Sequence, residues 1–81
     1  MSTADEIDWK ALRIICVDNN QTLRHTISRI LRDLGVGSTP MAKNGEDGMY
    51  EIEHSSVDMV ILDSELDGGK GLDFVRTLRN P

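Results

Sequence analysis

The chain has 81 residues, a formal net charge of −5 and a pI near 4.8. That balance, with no basic patch interleaved with aromatics, argues against a nucleic-acid-binding surface, and no apolar run approaches the length needed to cross a membrane. The single cysteine, Cys16, rules out an intramolecular disulfide, and the length allows one small domain.

Residues Met1 to Lys10 read as a polar leader, and the domain proper as residues 11–81. The first residues, Met1-Ser2-Thr3-Ala4-Asp5-Glu6, are polar and acidic, unlike a signal peptide, so the cytoplasm is the simplest compartment. Trp9 is expected to pack where the leader joins the body. Arg13-Ile14-Ile15-Cys16-Val17 is a short β-branched run and reads as the first, central strand, with Cys16 a buried, inert thiol. It ends in Asp18-Asn19-Asn20, poor strand formers and good helix caps. Gln21 to Leu34 then carries Leu23, Ile27, Ile30, Leu31 and Leu34 at helical spacing, which predicts one apolar stripe. Gly35 suits the left-handed position after the helix.

Ser38 to Ala42 is a weaker strand, and Pro40 favours an edge. Asn44, with Asp47 three residues on, starts a second helix that runs to about His54. Val57 to Leu62 is nearly continuous in apolar residues and suits a strand covered on both faces. It stops at Asp63, followed by the acid- and glycine-rich stretch Ser64 to Gly71. A third helix is expected over about Leu72 to Arg79, stopped by Asn80-Pro81. Strands alternating with helices imply an α/β fold with a parallel sheet and right-handed crossovers.

Two apolar strands therefore end in carboxylates, Asp18 and Asp63. In a doubly wound sheet of order 2-1-3, strands one and three are neighbours, and their carboxyl ends flank the crevice where ligands bind. Two carboxylates brought together repel, and must share a proton or recruit a cation. Hard oxygen ligands with room for water suit Mg²⁺. A carboxylate beside such an ion is able to accept a phosphoryl group as an acyl phosphate. The alternative for the pair is two independent acids at helix starts. His25 and His54 lie on different predicted helices without metal spacing, and Gly68-Gly69-Lys70-Gly71 lacks the phosphate-loop pattern.

Val17-Asp18-Asn19 before an amphipathic helix, Ile61-Leu62-Asp63 closing the third strand, and Gly71 eight positions later together resemble the receiver domain of two-component response regulators. The likeness runs from about Leu12 to Asn80. It implies a three-layer, flavodoxin-like doubly wound fold, truncated to the first three β-α units of a five-stranded receiver of on the order of 120 residues. It further implies that Asp63 is the phosphoacceptor. Asp18, Asn19, Asp63 and the backbone carbonyl of Glu65 would then hold Mg²⁺, and the phosphate would come from a histidine kinase or histidine phosphotransfer protein. A receiver is a phosphoacceptor and not a conventional enzyme.

Three departures from the family pattern stand out. Asn19 occupies the position of a second acid, and its amide oxygen ligates without charge. A unit charge at about 4 Å is worth up to roughly 4 kcal/mol at an effective dielectric near 20, so Mg²⁺ affinity should fall. Leu66-Asp67 replaces the usual Met-Pro-like pair. The elements carrying the family's switch Thr or Ser and its phosphate-contacting Lys are not found in these residues; Lys70 lies in the wrong loop. Two functions follow as expectations: a receiver phosphorylated on Asp63, or a degenerate receiver acting unphosphorylated as an interaction module. With strand three at an edge, a homodimer centred on Val57 to Leu62 and the third helix is expected.

Overall fold

The computed structural model describes residues 7–63 and Arg76. The start of the leader, the stretch after Asp63 and, apart from Arg76, the expected third helix lie outside the described residues. A 3-10 turn at Trp9–Ala11 leads into strand β1 (Ile14–Val17), helix α1 (Gln21–Asp33), strand β2 (Met41–Ala42), helix α2 (Gly45–His54) and strand β3 (Met59–Leu62). The three strands form a parallel sheet in the order β2-β1-β3. This is the expected 2-1-3 arrangement, and β2, with Pro40 just before it, is at an edge.

The elements start and stop where local chemistry dictates. Asn20 caps α1, its side-chain oxygen accepting the Leu23 N–H at 3.0 Å. Asn44 caps α2, accepting from Asp47 N–H at 2.8 Å, and Glu46 and Asp47 lie at the positive end of that helix. Gly35 ends α1 with φ of +99°, a conformation that side chains disfavour. Two residues on, a Cβ at Gly37 would collide with the Lys10 carbonyl. Trp9 is half-buried against this same corner, and its carbonyl accepts from Gly37 N–H at 3.1 Å.

The period of two along β1 divides the core. Ile15 and Val17 face α2, packing with Ala42, Met49, Ile52, Val60 and Leu62. Ile14 faces α1 and packs with Leu31, Val36, Ile27 and Ile61. Helices on opposite faces of one sheet give the three layers that βαβ crossovers produce. All four residues of β1 are buried. In contrast, β3 is only half covered: Met59 is exposed, and Val60, Ile61 and Leu62 are intermediate. The apolar run at 57–62 thus reads like a central strand but sits at the edge of the described sheet, with β1 the covered strand.

Helix α1 departs from the expected stripe. Of the five apolar residues, Leu31 is buried and Ile27 half-buried, whereas Leu23, Ile30 and Leu34 are 46%, 54% and 57% exposed. The line that faces the sheet is instead Arg24, Ile27, Ser28 and Leu31. Two polar anchors turn the helix this way. The Arg24 guanidinium reaches the Asp18 carbonyl at 2.6 Å, and the buried Ser28 hydroxyl bonds the Thr39 hydroxyl at 2.7 Å. At the opposite end of the strands, Arg13 N–H donates to the Asp58 carboxylate and Asp58 N–H to the Arg13 carbonyl, both at 2.8 Å.

Replacing Ile15, fully buried between β2, β3 and α2, by Ala should lower stability by about 2–5 kcal/mol in urea unfolding. Replacing the exposed Ile30 by Ala should change it by about 0.5 kcal/mol or less at low micromolar concentration. Equal effects would contradict the observed rotation of α1.

Candidate functional site

The carboxyl edge of the sheet is set by the pairing of β1 with β3. Their register aligns Ile14 with Met59 and continues without a break to Val17 with Leu62. Asp63 N–H extends the ladder, donating to the Val17 carbonyl at 3.2 Å. Neighbouring strands lie about 4.7–4.9 Å apart, so Asp18 and Asp63 leave the sheet side by side. Asp18 is 4% exposed and Asp63 is half-buried.

Asp18 is held from several directions. Its N–H donates to the Ala42 carbonyl at 3.0 Å, tying it to β2. Its Oδ1 accepts the Asn20 N–H at 2.8 Å. Its carbonyl accepts from Arg24 Nη1. Asn19, next in the chain, is exposed. Of the four positions expected to line a cation site, the structure therefore brings Asp18, Asn19 and Asp63 to one edge; Glu65 lies outside the described residues. The same edge contains Arg24, which the apolar periodicity of α1 passed over. Its position six residues after the acid, in the first turns of the helix, was the available signal.

Below the edge, Cys16 is buried in β1. Burial pushes its thiol above the ordinary value, the Asp18 carboxylate adds to the rise, and Arg24 opposes it. Both charges are thus felt inside the sheet at this end.

Residues 14–81 match the response regulator receiver domain family. The chain belongs to that family. It is 30% identical over 70 residues to the chemotaxis protein CheY-3 of Vibrio cholerae serotype O1, an overlap of 86% of this chain and 54% of the relative. It is 31% identical over 68 residues to the chemotaxis protein CheY of Pseudomonas aeruginosa, covering 84% of this chain and 55% of the relative. The chain spans about half the length of these curated relatives. Membership accounts for the partial doubly wound sheet, and it makes the chain a member of a phosphoacceptor family rather than a conventional enzyme. No helix among the described residues is long and apolar enough to cross a membrane.

Receiver domains generally bind Mg²⁺. Among the described residues no cluster of three or more His, Cys, Asp or Glu is gathered; the edge offers two carboxylates and one amide. That donor set fits the ion, which commonly takes one or two carboxylates and fills its remaining positions with water and phosphate oxygens.

The buried Cys16 thiol should react with a disulfide reagent near pH 8 at least about tenfold more slowly in the native chain than in urea, because both access and thiolate fraction are reduced. Absorbance of the released chromophore measures this, and equal rates would place Cys16 outside the core.

Proposed function

We propose that the chain is a cytoplasmic receiver module that accepts a phosphoryl group on Asp63 from a histidine kinase or histidine phosphotransfer protein. The observation that carries the reading is the β1–β3 register, which sets the residues after Val17 and Leu62 next to each other. In the transfer, a carboxylate oxygen of Asp63 forms a bond to phosphorus while the bond from phosphorus to the donor's imidazole nitrogen breaks. The electron pair returns to the imidazole, and an acyl phosphate remains on Asp63.

Asp18, Asn19, Asp63 and the Glu65 carbonyl would hold Mg²⁺. When bound, the ion offsets charge on the phosphoryl oxygens. The Ala42 carbonyl and the Asn20 N–H keep Asp18 in place for this task. Asn19 would contribute an oxygen but no charge, which would make the affinity for Mg²⁺ weak.

A small acyl phosphate with Mg²⁺ should add one phosphoryl group to the wild-type chain, read by intact mass. Asp63→Ala should abolish the addition. Labelling that persists in Asp63→Ala, or a wild type that stays unlabelled, would overturn the reading.

A second reading, as an unphosphorylated dimerisation module, has its own support. Leu23, Ile30 and Leu34 on α1 and Met59 on β3 are all exposed apolar side chains, and β3 is an edge strand among the described residues. A second copy pairing along 57–62 would cover that edge. Val60 and Leu62 pack against the core, so the side chain to alter is Met59. Sedimentation velocity at micromolar concentration should give a dimer that Met59→Lys weakens at least about tenfold, because an ammonium would have to be desolvated in the contact. A folded wild-type monomer at that concentration contradicts the dimer.

A further inference from the structure

Of the contacts that hold Asp18, the one from Arg24 differs in kind. The other two come from the backbone, through the Ala42 carbonyl and the Asn20 N–H. The third comes from a side chain with a full positive charge, which reaches back six residues to the Asp18 carbonyl at 2.6 Å. Arg24 is half-buried, whereas its neighbours Leu23, His25 and Thr26 are exposed. A guanidinium keeps its charge at any physiological pH. Among the described residues Arg24 forms no ion pair with a carboxylate. Its charge therefore stands as a positive pole beside the sheet edge, with no carboxylate paired to it among the described residues.

With Asn19 neutral, Asp18, Asp63 and Arg24 together carry a single net negative charge. We propose that Arg24 is a positioning residue of the site: it clamps the Asp18 backbone and, through its charge, holds down the affinity of the edge for a divalent cation. The inference rests on the reading of Asp18 and Asp63 as the cation-holding pair. A positive pole repels a dication directly, and it also lowers the repulsion that two carboxylates exert on an incoming phosphoryl anion. The edge is thereby tuned for the cation and the phosphoryl group together, with weak hold on the cation alone. The same contact fixes the rotation of α1 and so couples the helix face to the site.

The test uses the full 81-residue chain and magnesium chloride alone, followed by amide NMR at low and high KCl (roughly 20 and 300 mM, spanning a large change in screening). Arg24→Gln should tighten Mg²⁺ binding at least about threefold at low salt, and the gain should shrink at high salt. Asn19→Asp, which adds charge of the opposite sign at the same edge, should tighten it as well. Arg24→Lys keeps the charge and loses the planar fork. It should bind within about twofold of wild type while its Asp18 to Asn20 amides shift. A purely structural role for Arg24 would not produce the salt-dependent gain. A natively folded Arg24→Gln chain with unchanged or weaker affinity at low salt overturns the proposal. A second readout needs no variant: the Arg24 guanidinium resonance of the wild type should move with the same Mg²⁺ midpoint as the Asp18 amide. If it stays fixed at saturation, the proposal also falls. Wild type that shows no Mg²⁺-dependent shift at Asp18 or Asp63 overturns both this inference and the site it rests on. Wild-type binding that Arg24→Gln leaves unaltered overturns the inference alone.

Discussion

β1 is hydrogen-bonded to a neighbour on each side and covered by a helix on each face. Its four residues are the most completely buried in the described chain, with Ile15 and Val17 at 0% exposure. Such a strand cannot slip. A shift of one residue would turn Ile15 and Val17 toward α1 and Ile14 and Cys16 toward α2, disrupting both halves of the core. The same register delivers Asp18 to the carboxyl edge and pairs it with the residue that follows Leu62. The placement of the two acids is thus a by-product of core packing. The chain needs no special contact between them, only four apolar pairs in a row.

Around that strand the site is assembled from short-range devices. Asn20 closes the turn after Asp18 with its N–H and opens α1 with its side chain. Ala42 ties β2 to Asp18. Arg24 ties α1 to it. Three contacts, from α1 with its cap and from β2, therefore converge on one carboxylate residue that is almost wholly withdrawn from solvent. The far end of the strands is latched separately by the reciprocal bonds of Arg13 and Asp58. The Arg13–Glu51 ion pair nearby, at 3.7 Å and about one-third exposed on each side, adds little by itself.

Much of this was legible in the residues. The apolar runs ending in Asp18 and Asp63, the Asn caps at 20 and 44, the glycine at 35 and the proline at 40 each carry a local mechanism, and each of the described strands and helices stands within a few residues of its expected place. The strand of Ser38 to Ala42 shortened to Met41–Ala42 with an isolated bridge at Ser38, as a proline-bearing edge with few apolar residues would. What apolar periodicity missed is the rotation of α1. It counts hydrophobic side chains and is blind to a polar one anchored inward, so the stripe it predicts takes in Leu23, Ile30 and Leu34 and leaves out Ser28 and Arg24. The contact of Arg24 with the Asp18 carbonyl was hidden for the same reason.

The central claim is that Asp18 and Asp63 form one cation-holding edge. Paramagnetic broadening by sub-stoichiometric Mn²⁺, a stand-in for Mg²⁺ with the same taste for oxygen ligands, tests it most directly. The account predicts that the amides of Asp18, Asn19, Asn20 and Asp63 broaden first and that those of Arg13, Ser38 and Asp58, at the other end of the strands, persist. Broadening centred on the Arg13–Asp58 end, or on the acidic face of α2 at Glu46 and Asp47 with the Asp18 and Asp63 signals intact, would contradict it.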